Sequence, residues 1–311
     1  MKNLFKFAFI ASAGLALLLG ACTGENTPFK SEVADRLASP AWMVERVIPA
    51  APFALTAYER MHERNAPANI YIEGDGEAWV TKAKQAKNPT PANPMALHLA
   101  SYDKAANVAY IARPCQYTGL LDADTEKPCD AKYWGDHRFS PTVLESYDRA
   151  LDEIKRRYNI EEFNLIGFSG GGAVAAILAA QRDDVASLRT VAGNLDHRAH
   201  SAHHNVSYLE GSLNPPDFAA KLARVPQYHF IGGQDSVVPP GVLHSYLQSL
   251  GATSCAQYEF VQEAEHDKGW VNIWPDLLAK TPECRGIEKE FEPFDLPPEP
   301  FYTPRIGESK K

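Results

Sequence analysis

The 311-residue chain has no basic excess, no long apolar run in its interior and no internal repeat. Its 31 Lys and Arg residues are outnumbered by 39 Asp and Glu residues, so the net charge is −8 and nucleic acid is excluded as an expected partner. The absence of a repeat of about 20 to 50 residues argues against a repeat architecture. A hydrophobic content of 45% and a charged content of 23% exclude disorder throughout, collagen and a small disulfide knot. One globular domain of catalytic size with short tails fits this composition.

The longest apolar run, Phe7 to Leu19, is too short for a transmembrane helix, which needs about 20 residues. Two lysines precede the run and small residues follow it, which is the layout of a signal peptide over residues 1–21. Leu19 to Cys22 resembles a bacterial lipobox. That resemblance implies lipidation of Cys22 and attachment to a lipid bilayer in the cell envelope, and Thr23 in place of Asp indicates the outer membrane, facing the periplasm. Ordinary secretion with an unmodified Cys22 is the alternative.

Cysteine is scarce, and it lacks the CxxC spacing typical of zinc sites. Four cysteines remain besides Cys22: Cys115, Cys129, Cys255 and Cys284. An even number in an exported protein favours two disulfides over four free thiols, although three pairings are possible. The short, turn-rich segment between Cys115 and Cys129 favours a local bridge. No metal site is expected at these residues.

Strands and helices are predicted to alternate through the middle of the chain. Residues 22–40 are expected to be a polar tether and residues 285–311 a tail rich in proline and charge, with neither adding to the core. Within residues 41–284, an apolar stripe over Pro141–Tyr158, with Ser140 placed to cap it, predicts a helix. The alternation predicts an α/β fold with a mainly parallel sheet and helices on both faces, with ligands beyond the carboxyl ends of the strands. The predicted strands are Ala68–Ile72, Val108–Ala112, Phe163–Ile166, Leu188–Ala192, Tyr228–Ile231 and Tyr258–Val261.

The segment 163–180, FNLIGFSGGGAVAAILAA, places a serine between a predicted strand and a helix of small residues. GxSxG alone is a weak signal, but this context is that of a nucleophile elbow, in which flanking glycines let strand and helix approach closely. Ser169 is therefore the predicted nucleophile. The backbone N–H of Gly170, at the helix N-terminus, is a predicted oxyanion donor. A glycine-rich turn with an idle or phosphate-binding serine is the alternative.

A serine nucleophile needs a base and an orienting acid, and both types of residue follow downstream. Asp235 comes after an apolar strand in YHFIGGQDSVVPP, and His266 comes after the last strand in YEFVQEAEHDKGW. The order Ser, Asp, His is that of the α/β-hydrolases. Asp196 is the rival for the orienting acid. The four histidines between residues 197 and 204 lack the spacing of a metal site, and they are expected in a small polar lid over residues 197–222.

A second oxyanion donor is expected in the loop after the first predicted strand, in NIYIEGDGEAW. Glu73 stands where the hydrolases usually carry a histidine. The N–H of Asp75 or of Gly76 is the predicted donor, with a plain turn as the alternative. Three side chains that follow the strand 108–112 are candidate walls of an acyl pocket: Arg113, Tyr117 and Trp134.

Residues Asn69 to Trp270 together resemble an α/β-hydrolase, and 112–117 and 194–215 are more loosely similar to bacterial α/β-hydrolase lipoproteins. The resemblance implies that a helix after the last strand returns along it and brings Cys255 to Cys284. It also implies hydrolysis of a small-molecule ester by acyl transfer through the Ser-His-Asp triad, with no cofactor. The alternatives are a serine peptidase or amidase, and an inactive hydrolase fold used as a binding lipoprotein.

Overall fold

A computed structural model of the chain describes residues 27–81, 84–117 and 129–285. The strands in these ranges are Val44–Ala50 (β1), Phe53–Met61 (β2), Ala68–Ile72 (β3), Trp79–Thr81 (β4), Lys84–Gln85 (β5), Asn107–Ile111 (β6), Phe163–Phe168 (β7), Val185–Val191 (β8), Gln227–Gly232 (β9) and Ala256–Val261 (β10). The α-helices are Thr27–Ala38 (α1), Met95–Tyr102 (α2), Pro141–Tyr158 (α3), Gly170–Gln181 (α4), His197–His204 (α5), Ala219–Leu222 (α6), Pro240–Leu250 (α7) and Trp274–Leu278 (α8).

Eight strands form one sheet in the order β1-β2-β6-β3-β7-β8-β9-β10. β2 runs antiparallel to both of its neighbours, β1 and β6, and the remaining pairs are parallel. Within this sheet, the two strands that follow β3 in the chain are β6 and β7. They lie on opposite sides of β3, so the strand order reverses there. Ligand crevices of open α/β sheets lie beyond the carboxyl ends of the strands at such a reversal. The mainly parallel sheet and all six predicted strands are confirmed.

The antiparallel pair β1 and β2 was not predicted. β1 is an edge strand, and the residues from Val44 to Val47 are all exposed, charged and apolar side chains alike. The sequence therefore lacks both the continuous apolar run of a buried strand and the alternation of a half-buried one. β4 and β5 form a separate two-stranded hairpin.

Two hydrophobic layers cover the two faces of the sheet. One layer contains buried side chains of α3, α4 and α7, and the other contains those of α1, α2 and α8. The prediction of helices on both faces is confirmed. α3 begins at Pro141 as predicted, but the Ser140 hydroxyl makes no capping hydrogen bond.

The prediction that residues 22–40 add nothing to the core is wrong for the part that the structure describes. α1 packs on α2, and Ala34 and Ala38 on its inner face are completely buried. Two alanines four residues apart lie on one face of a helix and allow close packing. The charged residues between them give the segment the composition of a tether, although the buried stripe needs only small side chains.

Cys115 is bonded to Cys129, and Cys255 is bonded to Cys284, so both predicted disulfides are confirmed. The predicted signal peptide, Cys22 and the tail from residue 286 onward lie outside the described residues. Within residues 27–81, 84–117 and 129–285, no helix combines the length and the apolar character needed to cross a bilayer.

Candidate active site

Ser169, His266 and Asp235 form one hydrogen-bonded row at the carboxyl edge of the sheet. They follow β7, β10 and β9, and parallel strands end at the same edge. His266 Nε2 lies 3.0 Å from Ser169 Oγ, and His266 Nδ1 lies 2.9 Å from Asp235 Oδ2. In such a row the imidazole can accept the serine proton while the carboxylate stabilises the resulting imidazolium.

Ser169 occupies a strained turn between β7 and α4. Its φ of 52° and ψ of −121° are uncommon for any residue other than glycine. A Cβ on Gly167 would overlap the backbone oxygen of Gly171, and a Cβ on Gly171 would overlap the backbone oxygen of Ile72. The two glycines of the GxSxG spacing therefore permit the close approach of β3, β7 and α4 that holds the serine above the sheet.

The Asp235 carboxylate is held by its own loop. Its side chain is buried, and Oδ1 accepts the backbone N–H groups of Val237 and Val238, both at 2.8 Å. These bonds leave Oδ2 facing the imidazole. A carboxylate bound to Nδ1 selects the tautomer in which Nε2 is free to accept a proton.

Asp196, the alternative candidate for the orienting acid, makes structural hydrogen bonds instead. It caps α5, where Oδ1 accepts the N–H groups of Arg198 at 3.0 Å and Ala199 at 3.2 Å. Asn214 Nδ2 also donates to Oδ1, and Ser245 Oγ donates to Oδ2. All four partners lie outside the row that contains Ser169, so this carboxylate is occupied by structural contacts.

The loop between β3 and β4 lies beside the serine. Gly74 is so close that a Cβ added to it would lie 3.2 Å from Ser169 Cβ, and a Cβ on Gly170 would overlap the carboxylate of Asp75. The structure thus brings two of the three predicted oxyanion residues together, with the Asp75 side chain next to Gly170, which follows Ser169 in the chain. Gly76 packs against the backbone oxygen of Pro89 instead.

Two arginines hold the Asp75 side chain. Arg113 Nη1 lies 2.9 Å from Oδ1, and Arg138 Nη1 lies 2.8 Å from Oδ2. Burial raises the pKa of Asp75, but the two guanidinium groups outweigh it and lower the pKa below its usual value. One carboxylate with two cations gives this group of three side chains a net charge of +1. This arrangement was not predicted: Arg113 was expected in a pocket wall, and no local sequence pattern marks Arg138.

The segment closed by the first disulfide also supports the loop. Gln116 Nε2 donates to the backbone oxygen of Gly74 at 3.1 Å, while Gln116 Oε1 accepts the N–H of Arg113 at 3.0 Å. Cys115 and Tyr117 both have positive φ, a conformation that costs free energy for these residue types. The bridge therefore stabilises a strained segment that positions Gly74. The other two expected pocket walls, Tyr117 and Trp134, are buried.

The predicted lid begins beside the loop that carries Asp235. His200 Nε2 and His204 Nε2, on α5, donate to the Val237 backbone oxygen at 3.0 and 2.8 Å. Burial lowers the pKa of His200 to about 4, so this imidazole is neutral near pH 7 and donates one N–H. Among the described residues no group of three or more His, Cys, Asp or Glu side chains is arranged to hold a metal ion.

Glu73, at the position of the usual histidine, is buried behind the loop. Its Oε1 accepts the N–H of Gly74 at 2.8 Å. Burial raises its pKa from 4.5 to about 7. Folding therefore takes up a proton between these pH values, and the free energy of unfolding falls as the pH rises through that range.

We expect Glu73→Gln to flatten this pH dependence, because glutamine keeps the acceptor for Gly74 and has no charge to bury. Urea titrations of both proteins at about pH 5 and about pH 8 measure the effect. The wild type should lose roughly 3 kcal/mol more than the variant between the two conditions. Equal losses would show that Glu73 does not ionise in this range.

No family model matches the chain, and no curated protein is similar to it in sequence. Solved structures are similar in fold. An esterase from Pyrococcus furiosus has a TM-score of 0.51 at 11% identity, over 76% of this chain and 86% of that one. A membrane phospholipase A described as a bacterial virulence factor has a TM-score of 0.52 at 12% identity, over 81% and 90%.

A puromycin hydrolase variant has a TM-score of 0.54 at 15% identity over 76% of this chain, which spans only 38% of that longer protein. Identities of this size show a shared architecture. The strand order, the reversal at β3 and the helices on both faces agree with it. The chain has the α/β-hydrolase fold.

Proposed function

We propose that the protein is a serine hydrolase that cleaves an ester of a small acyl substrate. The observation that carries the proposal is the continuous row from Ser169 Oγ through His266 to Asp235, with spacings of 3.0 and 2.9 Å. The similar solved structures include an esterase, a phospholipase and a hydrolase, which supports hydrolytic chemistry. No cofactor is needed for acyl transfer by this row.

In the proposed first step, Ser169 Oγ attacks the ester carbonyl carbon while His266 Nε2 accepts the hydroxyl proton. The carbonyl oxygen gains negative charge, which the backbone N–H groups of Gly170 and Asp75 stabilise. The carbon–oxygen bond to the alcohol then breaks, and His266 returns the proton to the departing alcohol. The acyl group is left on Ser169.

In the second step, His266 removes a proton from water, and the hydroxide attacks the acyl carbon. The bond to Ser169 Oγ breaks, the serine recovers its proton from His266, and the carboxylic acid leaves. Gly76 remains an alternative second donor in this scheme, although Asp75 lies closer to Gly170.

Esters are favoured over amides because an alkoxide leaves with less help from a general acid than an amine does. We expect purified protein to turn over short-chain nitrophenyl esters with a higher kcat/KM than peptide nitroanilides. Faster cleavage of the anilides would make the protein a peptidase or amidase. Binding of either substrate class without turnover would instead indicate an inactive binding protein.

We also propose that Cys22 carries a lipid that attaches the protein to the bilayer of the cell envelope, at the outer membrane facing the periplasm. The Leu19 to Cys22 sequence supports this. We expect radiolabelled palmitate to enter the wild type and a Thr23→Ala control in a bacterial host, and Cys22→Ala to stay unlabelled. Equal labelling of all three proteins would contradict lipidation at Cys22.

A further inference from the structure

The start of α1 is fixed beside the candidate active site. Lys30 Nζ lies 2.8 Å from Glu77 Oε2 and donates to the Thr90 backbone oxygen at 2.6 Å. The Lys30 side chain is only 4% exposed, whereas that of Glu77 is 45% exposed, so the lysine is anchored in the domain while its partner faces solvent. Glu77 follows Asp75 by two residues and precedes Trp79 by two. The N-terminal end of α1 therefore lies next to the loop that flanks Ser169.

Large apolar side chains are exposed at this place. Phe29 is 54% exposed, Trp79 is 46% exposed and Val80 is 59% exposed. Lys84 and Lys87, in and after β5, are exposed with them. We refer to these five residues as the rim patch. Aromatic and aliphatic side chains beside lysines are typical of a surface that inserts into the headgroup region of an anionic bilayer.

Two large apolar side chains outside the rim patch are also exposed. Val237, two residues after Asp235, and Tyr208, after α5, are both about half exposed. Soluble proteins rarely expose large apolar side chains together without an interaction partner. Exposed apolar side chains therefore follow two of the loops that carry site residues, the loop of Asp75 and the loop of Asp235.

The length of chain between Cys22 and α1 selects a bilayer as the partner. Only residues 23–26 separate the cysteine from Thr27, and even a fully extended segment of this length spans roughly 18 Å. A lipid on Cys22 would thus hold the start of α1, and the rim patch with it, within that distance of the membrane surface.

We propose that the rim patch docks on the bilayer that holds Cys22, so that Ser169 faces the membrane and the site takes acyl esters of membrane lipids. The docking rests on the proposed lipidation of Cys22, and the substrate part of the inference rests also on the proposed ester hydrolysis. Side chains that insert about 5 to 10 Å reach the boundary between headgroups and acyl chains, where the ester bonds of lipids lie. Docking therefore brings the ester bond of a membrane lipid to the level of Ser169.

Tryptophan quenching tests the docking. The full chain is extracted in detergent from a bacterial host and reconstituted into vesicles of phosphatidylethanolamine and phosphatidylglycerol that contain brominated phosphatidylcholine. Trp134, Trp270 and Trp274 are buried, so bromine contacts only Trp79 or Trp42. Trp42, at 81% exposure, follows the opposite end of α1 and provides the matched control.

We expect bromine to quench the wild type and Trp42→Phe, and the quenching to disappear in Trp79→Phe. Quenching that disappears in Trp42→Phe and persists in Trp79→Phe would show that the other end of α1 faces the bilayer, which overturns the proposal. Absence of quenching in the wild type would overturn it too.

A kinetic ratio tests the substrate class. We expect the double variant Trp79→Ser, Val80→Ser to lower the ratio of vesicle-bound lipid-ester turnover to soluble-ester turnover by at least about tenfold. The matched variant Trp42→Ser, Val44→Ser should keep the wild-type ratio. Equal ratios in both variants would overturn the membrane substrate. If the wild type fails to hydrolyse the soluble ester, the proposed function fails, and the quenching result still decides the docking.

Discussion

Ser169→Ala should abolish ester turnover while the fold persists. The variant keeps His266, Asp235 and the loop between β3 and β4. It has no side-chain oxygen to form the acyl-enzyme, so kcat should fall by about 10⁴ to 10⁶. Labelling by a fluorophosphonate should disappear with it, because that reagent bonds to the activated serine oxygen. Ser236→Ala, which removes an exposed serine beside Asp235, is the control and should keep both signals.

The strained backbone makes a second variant useful. At the φ of 52° that Ser169 adopts, a glycine backbone is unstrained and an alanine backbone is strained. Ser169→Gly should be as inactive as Ser169→Ala and more stable than it by about 1 kcal/mol in urea titrations. Persistent labelling of either variant would assign the nucleophile to another residue.

Asp235→Asn should lower kcat by about 10⁴ with little change in substrate binding. An asparagine amide can donate to Nδ1, which would place the imidazole proton on Nε2 and leave no base for Ser169. The steady-state rate on a short-chain ester measures the loss.

Asp196→Asn makes the same chemical change at the rival position and should have the opposite outcome. Asparagine is a good capping residue, so α5 keeps its N-cap and turnover should stay within about twofold of the wild type. Loss of the charged acceptor for Ser245 should cost about 1 kcal/mol of stability. A large fall in kcat for Asp196→Asn together with a small one for Asp235→Asn would exchange the two assignments.

The arrangement of Ser169, Asp235 and His266 follows from local sequence patterns. Each residue comes directly after an apolar run, and the ends of parallel strands share one edge, so three short signals suffice to place three side chains. The elbow glycines add a steric signal that is equally local. The order of the strands in the sheet was not predicted, although right-handed crossovers leave few arrangements of alternating strands and helices.

The contacts missed by the sequence analysis join residues that are distant in the chain. Asp75 and Arg138 are 63 positions apart, and Arg138 lies outside the regular elements. No periodicity reports such a pairing, since an arginine in a loop has the same local pattern whether or not it is bound. Ser140 shows the opposite case. The sequence predicts a capping serine, but its hydroxyl makes no hydrogen bond to the helix.

The packing of α1 determines where the folded unit begins. A shortened protein that starts at residue 41 would uncover the face of α2 that Ala34 and Ala38 bury, and would leave Glu77 without its cation. Shortened versions for crystallography or assay should therefore retain the whole of α1 from Thr27 onward. Placing the cut at the edge of the sheet would discard part of the interior, and the resulting protein would be prone to aggregate.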